Sequence, residues 1–191
     1  MAARRKSTRQ RIELTDPRGI RALAHPARLA VLEELFSGRV ATATELAALT
    51  DLSPSAMSYH LRALEKWGLV VRDEPTGDGR ERPWRAAADD FQIGASSTTR
   101  AGVAANTLLL AQMLETQRRD LAAYFEHEQD LPEEWRQGNV DNAVLTLTAE
   151  EVEALKNELG AAIDRFRRRR ADQVENGRRV RVAFVVVPLV D

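Results

Sequence analysis

Within Leu52 to Trp67 of this 191-residue chain, Ser55, Tyr59, Arg62 and Lys66 recur at helical steps. At 100° per residue they share one face, with Ser58 on its flank. Short hydroxyls, a phenol and two cations, with no acid among them, are donors suited to base edges and phosphate oxygens. Arginine's planar fork matches the paired acceptors of guanine, whereas lysine meets phosphate as a point charge. The spacing therefore assigns base contact to Ser55, Tyr59 and Arg62. Phosphate contact falls to Ser53, Ser58, Lys66, Arg80 and Arg82. The opposite face carries Met57, Leu61 and Leu64 at i, i+4, i+7, an apolar stripe for a core. A helix so divided suits insertion into a major groove. Any amphipathic surface helix shares the pattern, so the flanking chain has to decide.

The elements that must position these side chains are legible on both sides. Ser53 is a good N-cap, with Pro54 at the first helical position. Upstream, Thr42 to Thr50 reads as a short helix with Leu46 and Leu49 inward, and Asp51-Leu52 as the turn. Two short helices joined this way make a helix-turn-helix. Downstream, Gly68 fits a helix C′ position. Leu69 to Arg72 reads as a strand, Asp73 to Arg80 as a turn and Glu81 to Ala86 as a returning strand. Such a hairpin is a wing, with Trp67 and Trp84 expected to brace it and Arg80 and Arg82 to reach phosphate from it. Before the motif, Asp16-Pro17 starts one helix, His25-Pro26 breaks it, and Pro26 to Phe36 forms the next with Leu29, Leu32 and Leu35 inward. His25 reads as a structural residue at that junction, and His60 as a packing and hydrogen-bonding residue on the edge of the buried stripe.

His25-Pro-Ala-Arg-Leu-Ala-Val-Leu, Thr44-Glu-Leu-Ala, Leu52-Ser-Pro-Ser-Ala-Met-Ser-Tyr-His-Leu-Arg-Ala-Leu-Glu and Gly68-Leu-Val together resemble the winged-helix repressors of the arsenical-repressor (ArsR) type. The resemblance covers about residues 16–90. It implies a dimer whose paired recognition helices read a two-fold symmetric operator.

Composition bounds the alternatives. Hydrophobic residues at 43% and charged residues at 30% describe a soluble globular protein. Residues 1–85 hold 15 Lys/Arg against 11 Asp/Glu, and residues 86–191 hold 13 against 18. A basic first half and an acidic second half fit phosphate contact at one end and another task at the other. Residues 1–11 carry five cations and no acid, a basic flexible arm that could follow phosphates or serve solubility. No signal-peptide pattern or long apolar run is present, so the expected location is cytoplasmic, with no membrane partner. With no cysteine, disulfides and thiolate metal sites are excluded. Glu126-His127-Glu128 with Asp130 is the one cluster with metal-ligand chemistry in the long helix. Neighbouring helical residues diverge by 100° and do not converge on an ion, so no cofactor or metal is expected. Phosphate loops, nucleophile elbows and His-Glu-x-x-His are missing, which argues against an enzyme.

Ala88 to Ser97 reads as a hinge. Ser96 to about Gln129 reads as a long helix with Val103, Leu110, Leu114, Leu121 and Tyr124 on a near-heptad seam, widened by Leu109, Met113 and Phe125. Its surplus apolar face predicts dimerisation. Packing against the chain's own C-terminal segment is the competing explanation. Val140 to Leu147 alternates as a strand, and Thr148-Ala-Glu-Glu151 is a capping box. Its helix carries Val152, Leu155, Leu159, Ile163 and Phe166, and ends in Arg167 to Arg170, a solvated helix end. Arg178 to Val187 reads as a second strand. The expected class is mainly α with small β (α+β). Residues 12–90 form the winged helix-turn-helix, 95–130 the dimerisation helix and 139–191 a β-α-β accessory lobe. The expected function is a homodimeric, sequence-specific regulator of double-stranded DNA, a repressor on a palindromic operator. A non-specific architectural DNA binder and a winged-helix protein-interaction module are the alternatives. A small-molecule effector between lobe and long helices stays open, with no polar constellation marking its site.

Overall fold

Three helix starts follow from their caps. The Asp16 carboxylate accepts the Arg18 backbone N–H at 2.8 Å and starts α1, Pro17–Leu23. His25 Nδ1 accepts the Ala27 N–H at 3.2 Å and starts α2, Pro26–Phe36. Thr42 and Glu45 close a reciprocal box that starts α3, Ala43–Ala47. The computed structural model describes residues 10–74, 82–93, 99–167 and 176–190. Contacts divide the chain into two units, Met1–Met113 and Leu114–Asp191.

In the first unit, Ser53 caps α4, Pro54–Lys66, by accepting the Ala56 N–H, and Pro54 sits at the start as expected. Asp51 makes the turn between α3 and α4 in the left-handed region, at φ 52°. Gly68 takes φ 68° behind α4, a conformation that costs glycine nothing, and turns the chain into β2, Val70–Arg72. Strand β2 pairs antiparallel with β3, Trp84–Ala86, in the register Val71↔Arg85. The wing expected from sequence is therefore formed. Its tip, with Arg80, lies outside the described residues.

A second strand pair ties the start of this unit to the chain that follows the wing. Strand β1, Arg11–Leu14, runs parallel to β4, Asp90–Ile93, with Arg11 opposite Asp90 and Leu14 opposite Ile93. Arg11 also pairs ionically with Asp90 at 3.3 Å, and Asp89 and Gln10 exchange two hydrogen bonds of 2.9 Å. This corrects two expectations. Arg11 belongs to a strand, and residues 90–93 of the expected hinge are its partner. A parallel pair between residues 79 apart leaves no local turn signal.

One cluster fills the core, from Leu14, Ile20 and Leu23 through Leu32, Leu46, Met57, Leu61 and Leu64 to Trp84. Leu46 is buried as expected, but Leu49 is 48% exposed and is not a core residue. It lies past the end of the five-residue α3. Gly19 sits where a Cβ would stand 2.9 Å from both Leu14 Cδ1 and Trp67 Cε3. Gly19→Ala should therefore destabilise by roughly 1–3 kcal/mol by overpacking against a rigid indole. An open helical site would instead gain about 0.5–1 kcal/mol from the same change. Urea denaturation reads the sign, and a gain would refute the close packing.

Helix α5, Arg100–His127, crosses the boundary between the units and is about 42 Å long. Gly102, Ala105 and Leu109 are buried, and Met113 packs against the same core. Leu109 and Met113 thus serve their own domain and do not widen the seam. Val103, Leu110, Leu114 and Leu121 lie about 100° around the helix and are all exposed.

The second unit is described by itself. The Tyr124 hydroxyl donates to Glu128 Oε1 at 2.7 Å and accepts the Gly138 N–H at 2.8 Å. Tyr124 therefore works within its own chain, half-buried, although its spacing put it on the seam. A Cβ at Gly138 would overlap the Tyr124 ring. The capping box forms: Thr148 N–H donates to Glu151 Oε2 at 2.7 Å, and α6 spans Ala149–Arg167. The run Arg168 to Arg170 lies outside the described residues. Neither expected strand of the β-α-β lobe is formed. Residues 139–148 and 177–190 run on without turn, bend or ladder. Residue types announce a strand, but a strand also needs a neighbouring strand, and among the described residues no ladder forms along either segment, although Arg181 pairs with Asp120 and Arg178 lies over the Trp135 ring.

Candidate nucleic-acid interface

Helix α4 buries Met57, Leu61 and Leu64 completely, and these fix its rotation. The opposite face is then outward. Ser55, Tyr59, Arg62 and Lys66 are all exposed, Tyr59 at 62%. Glu65, also exposed, lies about 80° around from Met57, on the flank. Among the described residues the Arg62 and Lys66 side chains have no hydrogen-bond or ionic partner, so their charges are available to something outside the chain. Ser53 and Ser55 hydroxyls lie 3.2 Å apart at the start of the helix. Ser53 uses one lone pair for its cap and keeps its proton to donate. Ser58 differs from the expectation, since it is half-buried and presents less of its hydroxyl.

The wing brings its own cations. Trp84 is fully buried and exchanges backbone hydrogen bonds of 2.7 and 3.0 Å with Ala41, which docks the hairpin beside α3. The Arg72 guanidinium stacks 3.9 Å from the Trp84 ring and donates to the Arg82 carbonyl. Arg85 pairs with Asp73 at 3.5 Å. Arg82 is exposed, and among the described residues its guanidinium has no partner. Trp67 packs partly buried against the core, beside Gly19.

Sequence reasoning missed one cluster under the interface. Arg28 of α2 donates from Nη1 to the Ala22 carbonyl at 2.7 Å and from Nε to His60 Nδ1 at 3.3 Å. The His25 and His60 rings lie 4.5 Å apart, and His60 meets Tyr59 edge-on at 5.6 Å. A chain of contacts thus runs from the α1–α2 junction to a ring on the outward face of α4. His60 lies 32 residues beyond Arg28 in sequence, so only the Pro-Ala-Arg start beside His25 and the Tyr-His pair hinted at it.

His60 accepts from Arg28 only while Nδ1 keeps its lone pair, which is to say while the ring is neutral. Burial, then the charges of His25 and Arg28, hold its pKa below the ordinary 6.5. Burial, then Arg28, does the same for His25. A folded state with depressed histidine pKa values keeps its full stability above the unfolded pKa near 6.5. It loses stability as pH falls from there toward the folded values. The melting temperature should therefore drop between pH 7.5 and 5.5, and His60→Gln should flatten that slope. A wild-type slope retained in His60→Gln would assign the acid sensitivity elsewhere.

Residues 23–73 match the helix-turn-helix domain family. That span is a little over a quarter of the chain and takes in α2, α3, α4 and β2. No curated protein matches the chain. Among solved structures, it is similar to a doubly substituted ZitR of Lactococcus lactis in apo form, at 20% identity over 75% of this chain and 83% of that one, with a TM-score of 0.33. A probable transcriptional regulator from Pseudomonas aeruginosa gives 20% identity over 76% and 88%, with a TM-score of 0.34. A MarR family protein of Mycobacterium tuberculosis, solved with p-aminosalicylic acid, gives 22% over 76% and 87%, with a TM-score of 0.31. At such TM-scores these likenesses carry no argument about function, which rests on the helix-turn-helix domain and its exposed donors. Among the described residues no three metal-ligating side chains come together, and no helix is long and apolar enough to cross a membrane.

Proposed function

We propose that the chain is a transcription regulator that binds double-stranded DNA sequence-specifically, as a homodimeric repressor on a palindromic operator in the cytoplasm. It acts by binding and not by catalysis. The observation that carries this reading is the outward face of α4. Its core-facing residues fix the rotation, and Ser55, Tyr59, Arg62 and Lys66 are left exposed with no acid among them. A wing stands beside it whose Arg82 is exposed and, among the described residues, unpaired. The ArsR-type resemblance of the flanking motifs supports the same reading. Dimerisation is supported by the exposed Val103, Leu110, Leu114 and Leu121 of α5, a row of large apolar side chains that water does not favour. In such a dimer the two reading helices would lie about 34–36 Å apart, one turn of DNA.

Selection of bound duplexes from a random pool, followed by titration of the selected sequence at two salt concentrations, tests this. A palindromic consensus with half-sites about one turn apart is the expected result. Tight binding without consensus and with a steep salt slope would replace the reading by an architectural binder. Absence of binding at low salt would move the case to a protein-interaction module.

A further inference from the structure

The described residues of the second unit form no core of their own. Among the described residues from Leu114 to Val190 none is buried, whereas the first unit buries one continuous cluster. Among its described residues fifteen large apolar side chains are exposed. Eleven of them lie on the two straight segments 140–147 and 180–190, among them Val144 at 80% and Val190 at 95%. Residues 140–147 and 182–190 make no backbone hydrogen bond to any described residue. Ordering backbone costs conformational entropy that only burial and pairing offset. An ordered but coreless unit is therefore half of a structure.

We propose that residues 140–147 of one copy pair with residues 178–187 of a second copy, so that two chains together build the core this unit lacks. The inference rests on the dimeric part of the proposed function and adds to it a second, shared layer distinct from the α5 seam. Three observations select a second copy as the occupant. The first is size. A stable interface takes about 20–30 residues a side, and obligate ones resemble a domain core cut in half. Fifteen exposed apolar side chains in one unit supply the centre of such an interface. The second is strand number. Two copies bring four strand-forming segments, above the three that an independently stable sheet needs. The third is charge. Segment 140–147 carries Asp141 and no cation, and segment 178–187 carries Arg178, Arg179 and Arg181 and no acid; within the chain Arg181 pairs with Asp120 and Arg178 lies over the Trp135 ring, so the excess of positive charge on this segment is partly met at its start. Unlike segments attract across a ladder, while like segments would set arginine against arginine. A partner that comes and goes would leave this unit without a core between encounters. A second copy is present whenever the chain is.

The absence of cysteine makes the test clean. Full-length chains carrying Val144→Cys are refolded together with full-length chains carrying one cysteine at Val180, Val182, Phe184, Val185 or Val187, and chains carrying both substitutions are refolded alone; all are then mildly oxidised. Sedimentation of the wild-type chain accompanies them. The expected result is a wild-type dimer and a disulfide-linked dimer for one or two of the mixed pairs, at least tenfold above chains carrying Val40→Cys in the first unit. A wild-type dimer with no linkage above that control would overturn this inference and leave the α5 dimer standing. A wild-type monomer at micromolar concentration would overturn both. Linkage that forms only when both cysteines are on one chain would assign the pairing within the chain and overturn it too. None of these outcomes depends on DNA binding, so a failed operator selection is a separate result.

Discussion

Trp84→Ala should destabilise the winged domain by about 3–5 kcal/mol, the largest single-residue effect expected in this protein. The indole is fully buried at the junction of the hairpin, α2 and Ala41, and Arg72 lies flat on it at 3.9 Å. Removing it leaves a cavity lined by side chains that are anchored elsewhere and cannot collapse into it, and Arg72 loses its platform. For a domain of this size the melting temperature should fall by about 10 °C or more. A companion variant separates ring from polar group. Trp84 Nε1 is buried and, among the described residues, has no hydrogen-bond partner. Trp84→Phe keeps much of the packing and removes a buried donor that water no longer serves. It should lose far less than Trp84→Ala. Chemical denaturation of both variants checks this, and equal losses would show that packing around the ring is not what holds the wing.

Arg62→Ala should cost about 1–3 kcal/mol on the selected operator and relax preference at one base pair. The loss in affinity would be about 5- to 150-fold. The guanidinium is exposed and, among the described residues, unpaired, so truncation leaves the fold untouched and the change in binding reads the contact directly. Arg28 would not give so clean an answer, because it ties α2 to His60 and the Ala22 carbonyl. Lys66→Ala is the matched comparison. It should weaken all sequences alike and lower the salt slope by about one. Competition against operators altered one base pair at a time distinguishes the two residues. A uniform loss for Arg62→Ala would move it to phosphate, and a selective loss for Lys66→Ala would move it to a base.

What was legible in the sequence was local chemistry. Asp16-Pro17, Ser53-Pro54 and the Thr148–Glu151 box each announce a helix start within four residues, and all three are formed. The stripe Met57, Leu61, Leu64 set the rotation of α4, and with it which donors face outward. What was not legible depended on residues distant in sequence. The pairing of Arg11–Leu14 with Asp90–Ile93 follows no turn, and the Arg28–His60 bond joins residues 32 apart. Helix α5 shows the limit of periodicity. Its apolar residues make two stripes about 100° apart, and spacing alone merged Leu109, which is buried, with Leu110, which is not. Val140 to Leu147 shows another: alternation reports the face a segment could offer, while pairing depends on a neighbour the pattern does not contain.

The β1–β4 pair has a mechanical consequence. The two strands run parallel, so the chain enters at Arg11 beside Asp90 and leaves at Ile93 beside Leu14. Tension drawn between residues 10 and 93 loads the slanted, evenly spaced ladder bonds together in shear, not one after another as in unzipping. All of α1 to α4 and the hairpin lie between these strands in sequence, so the clamp carries the load past them. Single-molecule pulling from those two positions should meet one abrupt rupture before any helix is lost, and a stepwise loss at low force would refute it. Helix α4 is thereby shielded from strain applied across residues 10 and 93.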